Sequence, residues 1–356
     1  MTLCGSGTQA LQLALQVACT SRPATNDLVA LPAFTCYDVA SAAIGAGVRV
    51  VFYDIDPDTL VADLGSVARV LARGPAAVVI APLFGYQPDW DELRELTDRA
   101  AVTLIEDAAQ SFGARWRDRP AGALGDLSVL SFGRGKGWTA VEGGALLGPA
   151  SEVGASSSVL APAKPFGGGP ILFKGLAQWL LGRPALYGLP SVMPGLELGE
   201  TVYHPPRTPH RIARLAARLA LETEHASEAE ADARRTRASG LTDRLNEALV
   251  TGSARCGIPR PHPESVPGAL RLPVLVSPRA RAELLARGRR LGLMPGYPQP
   301  LSGLEALQPF IAAREPMPGA EALAAALVTV PTHSLLTEAD LGRIAAVFRD
   351  PHAFAS

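Results

Sequence analysis

Leu104-Ile105-Glu106-Asp107-Ala108-Ala109-Gln110 is a short apolar run that ends in two carboxylates. The run, with Val102 and Thr103 ahead of it, shows no alternation, which is the pattern of a strand covered by helices on both faces. Ligands of open α/β sheets gather at the carboxyl ends of strands. Asp107 at such an end is placed to pair with a cationic ring nitrogen, and Gln110, one turn later, to face the same ligand. A solvated strand end explains this segment equally well when it is taken alone. A second run, Leu127–Phe132, leads into Ser131-Phe132-Gly133-Arg134-Gly135-Lys136-Gly137. Loop amides, Ser131 and Arg134 suit a phosphate, and the Lys136 amine suits attack on an aldehyde carbon. Further upstream, Gly5-Ser6-Gly7-Thr8 opens a helix. Free amides at a helix start also suit a phosphate, although an ordinary N-cap looks the same.

Outward from these segments, strand-like and helix-like stretches alternate. The strands are Leu28–Leu31, Val48–Tyr53, Ala77–Ala81, Val102–Glu106, Leu127–Phe132 and Gly144–Leu147. The helices are Thr8–Cys19, Tyr37–Ala46, Leu64–Ala72 and Trp90–Ala100. Alternation of this kind predicts a three-layer α/β/α domain with a mostly parallel sheet. Residues 150–206 break the rhythm with a variable segment rich in Gly, Pro and apolar side chains. A long helix is expected over Arg207–Leu245, a strand over Leu270–Val276 and a helix over Arg279–Leu291. Ala322–Leu327, Val328–Pro331 and Glu338–Arg349 complete a smaller α+β unit. The predicted division is a large domain over 1–238 and a small C-terminal domain over 239–356.

Composition narrows the function. The formal net charge is −1, so no electrostatic footprint for nucleic acid is present. The basic residues are 30 Arg and 3 Lys, namely Lys136, Lys164 and Lys174. Arg cannot serve as an amine nucleophile, which draws attention to Lys136, although chance retention accounts for any one lysine. Four scattered cysteines without metal-ligand spacing, and six histidines without a cluster, predict no metal site and a reduced, cytoplasmic setting. The apolar stretch from Ile171 to Met193 is interrupted by Lys174, Arg183, Pro184 and Pro190, so it is not read as a bilayer span. Burial against its own domain or a partner is the preferred explanation, ahead of an active-site lid or contact with a membrane surface.

The three motifs together resemble the DegT/DnrJ/EryC1/StrS aminotransferases. Gly-Thr at a helix start, Glu-Asp-Ala-Ala-Gln at a strand end, and a lysine 29 residues after the aspartate occur in that order. Pro32-Ala33-Phe34-Thr35, Phe52-Tyr53-Asp54-Ile55-Asp56-Pro57, Leu83-Phe84-Gly85, Glu142-Gly143-Gly144-Ala145 and Val330-Pro331-Thr332-His333-Ser334-Leu335-Leu336-Thr337 add to the likeness. The resemblance implies the fold-type-I pyridoxal 5'-phosphate (PLP) architecture and a homodimer. It implies Lys136 as the Schiff-base lysine and proton carrier, and Asp107 on the pyridinium nitrogen. Gln110 would meet the phenolic oxygen, and Gly7, Thr8 and Ser131 the phosphate. The family's ring-stacking aromatic falls in register with Cys36; Tyr37 follows it and is taken as the stacking residue because it carries a flat ring. Pro82 stands where the family often has His, and only Arg207 resembles the family's phosphate-reaching loop. The implied activity moves an amino group from an amino-acid donor, commonly glutamate, to a keto or aldehyde acceptor, such as a nucleotide-linked sugar or another biosynthetic intermediate. Alternatives are other PLP chemistry, elimination or decarboxylation, and a non-catalytic partner subunit.

Overall fold

A computed structural model describes residues 1–20, 26–163, 169, 171–173, 175–176, 201–249 and 257–349. The first strand, β1 (Thr2–Cys4), precedes α1 (Gly7–Thr20), β2 (Leu28–Pro32), α2 (Tyr37–Ala46) and β3 (Arg49–Tyr53). Next come α3 (Leu64–Leu71), β4 (Ala77–Ile80), α4 (Trp90–Ala100) and β5 (Thr103–Asp107). A hairpin of β6 (Arg115–Trp116) and β7 (Arg119–Pro120) leads to β8 (Leu127–Ser131) and β9 (Gly144–Leu147). The main sheet has seven strands in the order β1-β9-β8-β5-β4-β2-β3. Its β3, β2, β4, β5 and β8 run parallel, while β9 and β1 close one edge antiparallel. The expected three-layer domain with a mostly parallel sheet is therefore what the chain forms. The three residues of β1 are too few to carry a periodicity, which is why the sequence pattern did not reveal them.

Strands buried on both faces explain the continuous apolar runs. Val78, Val79, Leu104 and Ile105 are all fully buried, so helices must cover both sides. The central helix α1 packs on β8 and β9 and against α2. Aspartates cap α3 and α4: Asp63 accepts from Ser66 N, and Asp89 from Asp91 N and Glu92 N.

Beyond the sheet lie α5 (Ala150–Ser156) and α6 (Arg214–Leu249). Helix α6 starts seven residues later than Arg207, where the sequence pattern began it. Pro205, Pro206 and Pro209 lack amide donors and disfavour the helical conformation before them. Residues 207–213 instead form an extended strap: His210 bridges to Ala161 and Arg211 to Cys4. The strap braces the start of α1. Gly5 N donates to His210 O at 2.8 Å, and the Gln9 side chain bonds Thr208 O and His210 N. Of the apolar stretch from Ile171 to Met193, all but five residues near its start lie outside the described residues.

The two ends of α6 belong to different cores. Ala220 packs with Phe132, Ala140 and Ala145 beside β8 and β9. Leu241 and Leu245 pack with Leu272, Val274, Val328 and Val330 in a second core. That core is built from β11 (Arg271–Leu275), α7 (Pro278–Gly288), β12 (Met294–Pro295), β13 (Leu327–Pro331) and α9 (Glu338–Arg349), with α8 (Pro318–Ala326) preceding β13 and β10 (Ser265–Val266) pairing with β6. The order β11-β13-β12 is antiparallel. Leu301, Leu307, Met317, Ala320 and Leu323 return to the main core.

Asp54, at the end of β3, ties this return to the sheet. Its two oxygens accept from Gly319 N and Ala320 N, both at 2.8 Å, and Oδ1 also accepts from Ile55 N. A negative charge at the first turn of α8 also suits the helix dipole. A Cβ at position 319 would lie 1.9 Å from Ile55 O, so only glycine allows the approach. Asp54→Ala should therefore destabilise the protein by about 2 kcal/mol, because it leaves buried amides unpaired. Gly319→Ala should destabilise it by a similar amount through the backbone clash. Denaturant titration measures both, and wild-type midpoints would contradict the contact.

Candidate active site

Side chains alternate across a strand, so Glu106 and Asp107 face opposite ways. Glu106 is fully buried and accepts from Gly122 N (2.7 Å), Leu124 N (2.9 Å) and Ser128 Oγ (2.8 Å). It fixes the loop before β8 and takes no part in the cleft. Asp107 lines the cleft, and its Oδ1 accepts from Ala109 N at 3.1 Å.

The adjacent parallel strand supplies the other half. Asp107 is level with Val129 in the β5–β8 register, so Ser131 and the lysine loop emerge just past it. Lys136 lines the same cleft. The loop is held by its neighbours: Trp138 packs at 4.7 Å from Phe132 and 5.4 Å from Phe112, and its Nε1 donates to Ala220 O of α6 at 2.9 Å. A Cβ at Gly137 would lie 2.9 Å from Phe112 Cβ. Arg134 is exposed in the turn and is not among the lining residues.

Gly7 and Thr8 bring the first turn of α1 to the same cleft. The first-turn amides of a helix lack partners within it. A Cβ at Gly7 would lie 2.6 Å from Ser131 Cβ, so the helix start and the strand end meet closely only because position 7 has no side chain. Gly7, Thr8, Ser131, Asp107, Gln110 and Lys136, separate in sequence, thus surround about 460 Å³ of space open to solvent.

The two residues weighed for facing the cofactor ring, Cys36 and Tyr37, part company in the fold. Cys36 lines the cleft; Tyr37 does not and is buried in the main core. Cys36 is the N-cap of α2 and Tyr37 its first residue, so one step in the chain turns the side chain from cleft to core. Burial pushes the Cys36 thiol up to about 12, so it stays protonated. The cleft also contains Thr35 of the Pro-Ala-Phe-Thr motif and Pro82, together with Asp38, Val39 and Ala81, which sequence motifs did not single out. Arg207 is exposed on the strap and is not a lining residue. Among the described residues no group of three or more His, Cys, Asp or Glu is placed to hold a metal ion, and no helix is long and apolar enough to cross a membrane.

The Leu83-Phe84-Gly85 turn positions Gln110. Phe84 and Gly85 both have positive φ, 54° and 86°, and a Cβ at Gly85 would lie 2.6 Å from Gly268 N. The strained Phe84 presents its N–H to Gln110 Oε1 at 3.2 Å.

Burial raises the Asp107 carboxyl above its ordinary range, against the pull of the Lys136 ammonium and the Ala109 amide, with Asp38 adding to the rise. A carboxyl whose folded pKa is raised contributes stability below its unfolded pKa and loses it as pH rises through the folded value. Without a bound cation, Asp107→Asn should therefore melt higher than the wild type at about pH 7, and the gap should close towards about pH 4. Thermal melts of protein stripped of ligands measure this; a gap independent of pH would contradict it.

Residues 2–160 match the sequence model of the DegT/DnrJ/EryC1/StrS aminotransferase family. L-glutamine:2-deoxy-scyllo-inosose aminotransferase of Streptomyces kanamyceticus is 37% identical over 142 residues, a stretch covering 40% of this chain and 33% of that protein. The 3-amino-5-hydroxybenzoate synthase of Amycolatopsis mediterranei (strain S699) is 36% identical over 147 residues, covering 41% of this chain and 37% of that protein. The sequence match thus spans about a third of the length of these relatives. The fold likeness is wider: a DegT DnrJ EryC1 StrS aminotransferase from Brucella abortus superposes with a TM-score of 0.73 at 25% identity, covering 98% of this chain and 84% of that one. Residues 2–160 thus carry the sequence pattern of the DegT/DnrJ/EryC1/StrS aminotransferases, and the chain as a whole shares the fold of one of them.

Proposed function

We propose that the cleft binds PLP and that the protein transfers an amino group from an amino-acid donor to the carbonyl of a small biosynthetic intermediate. The observation that carries this reading is the convergence of the Asp107 carboxylate and the Lys136 amine, from adjacent parallel strands, on a cleft that also holds Gly7, Thr8 and Ser131. The donor set fits the cofactor. A carboxylate suits a pyridinium nitrogen, and two hydroxyls beside a helix start suit a phosphate. An amide fixed on a backbone N–H suits a phenolic oxygen, and a lone amine an aldehyde. Bound PLP would act as an electron sink for the bonds of the substrate carbon.

The chain's own residues then have separable tasks. Asp107 keeps the ring nitrogen protonated by charge pairing. Gly7, Thr8 and Ser131 anchor the phosphate end and fix the ring's orientation. Lys136 Nζ anchors the aldehyde end and, once released, takes up and returns a proton at the substrate carbon. A non-catalytic partner has no need of this complete set. The names of the relatives favour glutamine as donor and a cyclic ketone as acceptor, with glutamate, the family's common donor, as the second choice. We further place the protein in the cytoplasm as a homodimer. Cys4, Cys19 and Cys36 as free thiols support the reducing compartment.

Lys136→Arg should keep the fold and abolish turnover, since the charge remains and the nucleophile is lost. Asp107→Asn should still bind PLP but lose roughly 10²–10³ in turnover, the scale of removing one electrostatic group from a site. The test is a half-reaction with each donor and PLP-loaded protein, followed by the visible absorption band and by the keto acid released. Bleaching by glutamine or glutamate with stoichiometric keto acid supports transfer; carbon dioxide or ammonia as the sole product contradicts it. Light scattering should give a dimer mass at micromolar concentration.

A further inference from the structure

Gln110 is held from two sides. Its Oε1 accepts from Phe84 N, which turns the amide nitrogen the other way. There Nε2 donates to Tyr297 Oη at 2.7 Å. An amide nitrogen carries two hydrogens. Tyr297 takes one, and the second remains for the cleft that Gln110 lines.

Tyr297 lies 187 residues further along the chain than Gln110, just past β12. Its ring meets Phe34 edge-on, with centroids 5.3 Å apart and planes at 62°. Burial, and after it the nearby Cys36, push its hydroxyl well above the ordinary range, with Asp107 and Asp38 adding to the rise and Gln110 opposing it. The hydroxyl therefore stays protonated and can serve as a fixed neutral acceptor for Gln110.

We propose that Tyr297 is a positioning residue of the cofactor site: its hydroxyl locks the Gln110 amide so that the second N–H of Gln110 points into the cleft, where it serves the phenolic oxygen of PLP. This rests on the PLP reading above. With the lock removed, the Gln110 side chain keeps only its bond to Phe84 and is freer to turn away. A residue of the loop after β12 thereby sets the strength of one hydrogen bond at a site built mostly by the large sheet.

Tyr297→Phe keeps the ring on Phe34 and removes only the hydroxyl. Two readouts besides turnover apply: the PLP dissociation constant, and the pH midpoint of the visible band of the bound cofactor. Loss of one oriented hydrogen bond should weaken PLP binding by about two- to tenfold. The midpoint should move upward, because a donor on the phenolic oxygen favours its deprotonated form. Gln110→Ala should produce both changes, and adding Tyr297→Phe to it should produce no further change, since the hydroxyl acts through the amide. Wild-type values in Tyr297→Phe, or losses that add in the double variant, would overturn the role of Tyr297 while leaving PLP binding in place. A wild-type protein that binds no PLP would overturn both.

Discussion

The register between β5 and β8 is the constraint on which the rest depends. Parallel pairing sets Asp107 level with Val129. It therefore fixes how far past the carboxylate the Ser131–Lys136 loop begins. A one-residue slip would turn the inward and outward side chains of a strand over. Asp107 would enter the core, and Glu106, with three donors now arranged around it, would face the cleft. Glu106 resists that slip. Its three hydrogen bonds reach Gly122, Leu124 and Ser128, so the residue beside the cleft carboxylate holds the following strand in place.

The same division of labour recurs around the cleft. Neighbours brace the residues that line the cleft, and Gln110 is itself bonded on two sides. Thr8 stands on a helix whose start is braced by the strap at Thr208 and His210. Lys136 stands on a loop pinned by Trp138 to Phe132, Phe112 and α6. Asp107 itself is costly to the folded chain, because burial raises its carboxyl, and a cation in the cleft would relieve that cost. On the proposed PLP binding, stability and binding would pull against each other at this one side chain.

What was legible in the sequence was local. The Asp107 strand end, the Lys136 loop and the Gly7-Thr8 helix start each lie within a few residues, so strand period and glycine placement sufficed to find them. Helix boundaries in the first 150 residues came close for the same reason. What was missed comes from contacts between distant segments. Tyr297 reaches Gln110 across 187 positions, and Asp54 reaches Gly319 and Ala320 across more than 260. Neither pairing has a periodicity to reveal it. Cys36 and Tyr37 show a different limit: adjacent residues at a helix start point about 100° apart, and residue type alone favoured the aromatic that the fold sends to the core. The late start of α6 was in principle legible, because Pro205, Pro206 and Pro209 precede it; the apolar spacing downstream outweighed them.

The central claim is that one amine, Lys136, shares a cleft with Asp107 and holds the aldehyde of PLP. Borohydride reduction of PLP-loaded protein, followed by peptide mass mapping, tests it most directly, because the chain offers only three lysines. The account predicts a single phosphopyridoxyl label, on Lys136. A label on Lys164 or Lys174 with Lys136 unmodified would contradict it.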